Sequence, residues 1–368
     1  MRSANKILFL VISLLFTTLL FGCAKQKYPP VESSEKESEV MIKLNIEGSE
    51  YEVKYELYRA LFLNNKALID GGDDSVWTSP DADKYITEIN EIIIAKASEI
   101  YSVLHLSKEI GFDPYSEKAD LQVEEYIIGA VEGDAVQIGH GSYEAYLESL
   151  KKNNLNYSVA DLLLRYALAS DAIDKYYLGE YDQVRGQQDG EYKYTKDDVK
   201  NYYYSDDCAR ILQAYFQTGV KNAEQMEEYR TALLGFSDEK KLAAYIIGST
   251  SATESDLLKD GELSGIIIGK SELVGSEYDP YITSIFALQP GELSRVVKLE
   301  NTTADGYYLF YGLEKTDEHF DAFYSVIRNS YLDNIVGKVL NNMCISLKES
   351  AVFTDSYNEI AHNNITME

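Results

Sequence analysis

The chain has 368 residues, 45% of them hydrophobic and 26% charged, enough for two domains with a sizeable core and too apolar to be disordered throughout. With 34 Lys and Arg against 61 Asp and Glu, its formal net charge is -27. That balance excludes nucleic acid as a partner, since a phosphate backbone is held by clusters of Lys and Arg, and it suits a surface that stays solvated.

The chain opens on MRSANK, a short basic segment, followed by ILFLVISLLFTTLLF, an apolar run too short for a comfortable membrane span and right for the core of a secretory signal. LFGC follows and resembles the lipobox of bacterial lipoproteins. The resemblance implies that residues 1–22 are a signal peptide, cut away, and that Cys23 is diacylated as the mature N-terminus. The anchor would then hold by burial of acyl chains, at about 0.8 kcal/mol per CH₂. KQKYPPVESSEKESE, Lys25 to Glu39, is polar and proline-containing, so residues 23–39 read as a tether of roughly 50 Å when extended.

VMIKLNI, Val40 to Ile46, alternates apolar and polar residues and turns at Gly48, which predicts a short strand or hairpin. Helical spacing begins at Lys54 and continues, with loop punctuation such as DGGDDSVWTSPDAD (Asp70 to Asp83), to about residue 205. Ser142, Ser158 and Thr195 are the predicted helix caps. From Asp207 to Lys315 the texture changes to short β-rich runs, ARILQAYF, GELSGIIIG, ELSRVVKL and GYYLFYGLEK, separated by helical segments. A final helix carries Phe320, Phe323, Ile327, Tyr331, Ile335, Val339 and Met343 as one apolar stripe. A stripe that long cannot stay in water, so the helix is expected to fold back on the N-terminal helices, making the α+β module an insertion.

The order of lipobox, strand and helices, α+β module and closing helix resembles the extracytoplasmic foldase lipoproteins of the PrsA and SurA kind, whose inserted module is a parvulin-type peptidyl-prolyl isomerase. IEGSEYEVKYELYRALFLNN resembles the start of the family's helical chaperone domain, and SYEAYLESLKKNNLNYSVADLLLRYALASDAIDKYY its later helical pair. YDPYITSIFALQPGELSRVVKLENTTADGYYLF is similar to the parvulin pattern of an aromatic, a Pro-Gly-Glu turn, a strand and a last Gly-Tyr strand. The fold class implied is α+β: a mainly helical SurA/PrsA-like chaperone domain, made of an N-terminal strand and helices plus a C-terminal helix, with an inserted parvulin-like α+β module. The domains implied are a signal peptide at 1–22, a tether at 23–39, a helical chaperone domain at 40–206, a parvulin-like domain at 207–315, and at 316–368 a C-terminal helix packing on the chaperone domain.

Parvulin catalysis, by the same resemblance, uses two histidines facing each other in the sheet, a nearby Cys or Asp, and a Met and an aromatic residue lining the proline pocket. Carried onto CARIL and GYY, the histidine positions fall on Arg210 and Tyr308, so both histidines are missing. The Cys or Asp position falls near Glu254, Ser255 or Asp256, and the Met position near Glu277. Tyr281 matches the pocket aromatic, and Tyr281 and Phe286 are the candidate peptide-binding residues. An Arg that stays charged and a Tyr that barely titrates cannot act as a neutral histidine pair.

Other signals are weaker. The four histidines, His105, His140, His319 and His362, show no ligand spacing, DGGDD lacks the EF-hand pattern, and no metal or cofactor is expected. GIIIGKS is one residue short of a phosphate loop, and GHGS lacks the frame of a nucleophile elbow. Cys208 and Cys344 read better as two free thiols than as a disulfide. The 31 tyrosines offer apolar faces with polar edges, suited to packing and also to gripping varied segments. The function expected is a membrane-anchored, extracytoplasmic foldase or chaperone that binds exported unfolded polypeptides, with weak or absent isomerase activity. The alternatives are an active isomerase with a rearranged site and a substrate-binding lipoprotein of a transporter, which would show repeated βαβ units.

Overall fold

A computed structural model describes residues 28–367 apart from 134–138, 180–181, 183, 185–193, 218, 251–256, 260–261, 273–277 and 300–304. Cys23 and the signal segment lie outside the described residues, as do Glu254, Ser255, Asp256 and Glu277. The described residues divide into two compact units, one made of those from 28 to 192 together with those from 340 onward, the other of those within 193–339. An α+β unit is thus inserted into a mainly helical one. The division falls at 192/193 and 339/340, whereas the change of sequence texture falls at 206/207 and 315/316.

In the helical unit, β1 (Val40–Ile46) and β2 (Ser49–Lys54) pair antiparallel through a two-residue turn. Glu47 and Gly48 both take positive φ, 49° and 83°, as such a hairpin turn requires. Four helices of the unit bury the expected faces: α1 (Tyr55–Asp70), α2 (Ala82–Glu109), α3 (Glu117–Glu132) and α5 (Tyr157–Leu178), with the shorter α4 (Tyr143–Lys152) between the last two. Tyr58, Phe62, Ile89, Ile93 and Leu104 are among its largest fully buried side chains. Ser142 caps α4 as expected. The cap of α5 is Asn156 rather than Ser158, because the Ser158 hydroxyl donates to Glu56 instead, at 2.6 Å. The DGGDD loop uses its carboxylates internally: Asp70 accepts from Trp77 Nε1 at 2.8 Å and Asp73 from the Ser75 backbone N–H at 3.0 Å.

The described part of the expected tether is not free. Glu37 accepts from Arg59 at 2.7 Å, Ser33 donates to Glu56, and the Tyr55 backbone N–H donates to the Glu39 carbonyl at 2.8 Å. Burial opposes ionisation of Glu37, yet the Ser34 backbone N–H and the Arg59 guanidinium hold its pKa down at about 2. One charge of this segment, Glu37, has its partner on α1.

The α+β unit begins with α6 (Lys196–Tyr204), whose Thr195 cap forms a full capping box with Asp198. Then come β3 (Cys208–Gln217), α7 (Ala223–Leu233), α8 (Glu239–Ser249), a small hairpin of β4 (Leu258–Lys259) and β5 (Glu262–Leu263), β6 (Ile266–Gly269), α9 (Asp279–Phe286), β7 (Val297–Leu299) and β8 (Gly306–Gly312). The four-stranded sheet has the order β6-β3-β8-β7. Leu212, Ala214 and Phe216 of β3 pack on one face with Met226, Leu233 and Leu242 of α7 and α8. Ala209 and Ile211 pack on the other with Tyr281 and Ile285 of α9. All strand ladders among the described residues are antiparallel, so the βαβ units of a transporter's binding protein are not among them.

The closing helix differs from its expected form. It breaks at Phe323 into α10 (Asp317–Ala322) and α11 (Tyr324–Glu349). Phe320, Phe323 and Ile327 pack with Val199, Tyr202 and Tyr203 of α6 and with Cys208, inside the α+β unit. Beyond Ile327 the buried apolar side chains are Leu332, Val336, Leu340 and Leu347, while Tyr331, Ile335, Val339 and Met343 are half-buried. The non-helical backbone at Phe323, φ -115° and ψ 22°, interrupts the periodicity that the seven-residue stripe assumed. After α11, β9 (Val352–Phe353) adds to β1 as a third strand, with Ile42 opposite Phe353, and α12 (Asp355–Asn358) follows. Cys208 and Cys344 are both free thiols.

Candidate peptide-binding site

The Pro-Gly corner joins α9 to the sheet. Pro290 and Gly291 occupy the centre of a turn closed by the Glu292 N–H on the Gln289 carbonyl at 3.0 Å, and Gly291 has φ 84°, the type II geometry that favours this pair. The turn then stitches itself to β8: Gly291 and Gly312 exchange bonds through the Gly312 and Glu292 carbonyls, both at 2.9 Å. A Cβ on Gly312 would lie 2.4 Å from the Gln289 carbonyl oxygen, so the close approach requires glycine there. Val297 enters β7 opposite Tyr308.

Strand alternation decides which side chains can meet. Tyr308 lies on the α9 face, and its partner across the β3–β8 ladder is Tyr215. Arg210 is an even-numbered position of β3, on the side of Leu212, Ala214 and Phe216. The two positions carried over from the parvulin histidines therefore lie on opposite faces and cannot form a pair. The residues of β3 that share the face of Tyr308 near it are Gln213 and Tyr215. The register decides this, because with Tyr308 opposite Tyr215 the β3 residues on its face have the parity of Ile211, Gln213 and Tyr215.

Arg210 has a structural role. Its guanidinium donates to three carbonyls, Ser264 at 3.1 Å, Glu314 at 2.5 Å and Leu263 at 2.5 Å, and burial lowers its pKa from the ordinary value. Beside it, His319 Nε2 is 2.8 Å from the Ser264 carbonyl and Nδ1 is 2.9 Å from the Tyr203 hydroxyl. The carbonyl can only accept, so Nε2 carries the proton and Nδ1 accepts from tyrosine. Burial, then the charge of Arg210, lowers the His319 pKa to about 4, leaving it neutral.

On the α9 face, rings fill the space where a proline pocket is expected. Tyr308 lies 4.8 Å from Tyr215 and 5.2 Å from Tyr281, and Tyr281 meets Phe310 edge-on at 4.7 Å. The Tyr281 hydroxyl donates to Gln213 Oε1. Burial raises the pKa of Tyr308, so its hydroxyl stays neutral. Phe286 stands apart from this stack. It lines a cleft of about 310 Å³ together with Leu288 and Pro290 of the corner, Ile211 and Lys315, and Lys270 Nζ lies 5.8 Å from its ring centre. The structure thus separates the two candidate peptide-binding residues: Tyr281 is buried in the ring stack, and Phe286 is half-buried at a cleft open to solvent.

No protein-family model and no curated protein matches the chain. Among solved structures it is similar to the crystal structure of PrsA from Bacillus subtilis, at 14% identity and a TM-score of 0.25 over 85% of this chain and 93% of that one. It is also similar to foldase protein PrsA from Streptococcus pneumoniae, at 12% identity and 0.28 over 86% and 96%. A third is peptidylprolyl isomerase PrsA from Bacillus anthracis, at 16% identity and 0.29 over 68% and 95%. Identities and TM-scores this low leave the functional reading to the residues themselves.

Proposed function

We propose that this protein is an extracytoplasmic foldase or chaperone that binds exported unfolded polypeptides, held at the membrane by a lipid on Cys23, and that its parvulin-like unit has little or no isomerase activity. The observation that carries the reading is the packed stack of Tyr215, Tyr281, Tyr308 and Phe310, with Gln213 bonded to Tyr281. Isomerisation needs a pocket for the proline ring and oriented polar groups that favour the twisted amide over a barrier near 20 kcal/mol. Here rings occupy the pocket, and glutamine and tyrosine stand on the face where two histidines would be needed. The domain roles follow from this: residues 40–206 with the segment 316–368 act as the chaperone part, and 207–315 as a scaffold that offers the Phe286 cleft to apolar side chains.

No described helix is long and apolar enough to cross a membrane; attachment through Cys23 rests on the lipobox-like LFGC, and loss of acyl labelling in Cys23→Ala checks it. In a protease-coupled prolyl peptide assay the purified protein is expected to leave the uncatalysed rate unchanged while suppressing aggregation of a denatured client. Rapid turnover abolished by Tyr281→Ala would overturn the reading of the α+β unit. Failure to suppress aggregation would overturn the chaperone assignment.

A further inference from the structure

In the helical unit, three side chains from two separate elements converge. Glu47 comes from the β1–β2 turn, and His105 and Glu109 stand one turn apart near the end of α2. Nε2 of His105 is 3.6 Å from Glu109 Oε1 and 4.0 Å from Glu47 Oε2, and one donor atom of each residue lies within 4.8 Å of the others. His105 is only 7% exposed, and its buried Nε2 has no hydrogen-bond partner. Its other nitrogen, Nδ1, is 2.9 Å from the Tyr51 hydroxyl, and the Tyr51 ring is fixed by stacking on Tyr101 at 5.0 Å.

A buried polar atom without a partner is costly, so this one calls for an occupant. When Nδ1–H donates to the Tyr51 oxygen, Nε2 presents a lone pair to two carboxylates that can only accept. Like meets like unless a cation sits between them. When the proton is on Nε2 instead, its nearest carboxylate oxygen is still 3.6 Å away, beyond hydrogen-bond reach. We propose that Glu47, His105 and Glu109 form a binding site for a divalent transition-metal ion of the zinc class, with Tyr51 orienting the imidazole and a water completing the coordination.

The spacing fits. Tetrahedral zinc bonds of about 2.0–2.2 Å place ligand atoms about 3.4 Å apart, so the imidazole–carboxylate separations of 3.6 and 4.0 Å close by well under an ångström, and the widest separation, within 4.8 Å, by about 1.4 Å at most. The two carboxylates are exposed at 70% and 42% of their side-chain surface, which leaves them free to make that movement. One imidazole with two carboxylates suits a transition ion, whereas calcium takes six to eight oxygens. Glu47 also holds a positive φ of 49°, uncommon for a residue other than glycine. A bound ion would pin the β1–β2 hairpin to the C-terminal end of α2.

The test is calorimetric titration of the chelator-treated protein with zinc chloride, repeated with cobalt(II) read by its visible absorption and with calcium chloride. One equivalent of zinc is expected to bind, with a rise in Tm, and cobalt(II) is expected to give the intense bands of a four-coordinate site. Glu47→Gln with Glu109→Gln, both exposed enough to leave the fold intact by circular dichroism, is expected to weaken zinc at least about tenfold. Tyr51→Phe, which keeps the ring but loses the hydroxyl, is expected to weaken it by about tenfold. Absence of saturable zinc binding would overturn the proposal. So would binding that the double substitution leaves unchanged, which marks an adventitious ion on an acidic surface, or calcium binding as tight as zinc.

Discussion

The two units treat their buried polar groups differently. In the α+β unit Arg210 reaches three carbonyls and both nitrogens of His319 are engaged. In the helical unit Arg59 Nε, Ser98 Oγ and His105 Nε2 are buried with no partner, and among the described residues no other buried side-chain nitrogen or oxygen is left so. Complete pairing, with rings filling one face of the sheet, makes the inserted unit a closed scaffold. Incomplete pairing in the helical unit leaves groups for something else to satisfy. A fold whose resemblance points to chemistry in one unit thus keeps its unmet bonding capacity in the other.

Substitutions can break that contrast. Tyr308→Ala removes a buried ring from the stack and is expected to destabilise the α+β unit by about 4 kcal/mol in urea unfolding. A loss under about 1.5 kcal/mol would mean the stack is loose enough to open for a prolyl ring. Arg210→Met, which keeps bulk and removes the donor to the Leu263 and Glu314 carbonyls while Ser264 keeps His319, is expected to cost about 3 kcal/mol. A nearly neutral result would show that water reaches those carbonyls and that the unit is not closed.

Acid sharpens the comparison further. The lowered pKa of His319, about 4 against 6.5, means that the unfolded chain takes up the proton first. Its contribution is therefore complete above pH 6.5 and is lost as pH falls toward 4, by about 2 kcal/mol, and His319→Gln should flatten that part of the urea-midpoint profile. His362 in the helical unit, also lowered by burial, contributes in the same direction and remains in that variant. Glu37 titrates in a lower window: its stabilisation is present above 4.5 and lost as pH falls to about 2, and Glu37→Gln removes it. The smallest of these effects is the cap, where Thr195→Ala is expected to cost about 1 kcal/mol.

Much of the architecture was legible because periodicity is local. The alternation of VMIKLNI and the turn at Gly48 gave the first hairpin, and the corner at Pro290 and Gly291 was recognisable with the aromatic before it and the Gly-Tyr strand after it. What failed depended on orientation. CARIL carries the letters of a motif on the wrong face, since letters do not record which side of a sheet a residue takes until its partner strand is known. The closing stripe was read through Phe323 as though the helix were unbroken. The pair His105 and Glu109 stood at a ligand spacing on one helix, but Glu47 joins them only through the hairpin, and a scan for ligand spacing along the chain does not see it.

The short strand β9 has a consequence for how the molecule is made. It supplies the third strand of the first sheet, pairing with β1 at Ile42 and Lys43, and Thr354 bonds back to the Met41 carbonyl at 3.0 Å. The helical unit is therefore incomplete until nearly the whole chain has emerged, while residues 193–339 are contiguous and can fold as soon as they appear. During synthesis the inserted unit can finish first, and the helical unit waits longest as an open, partly folded chain.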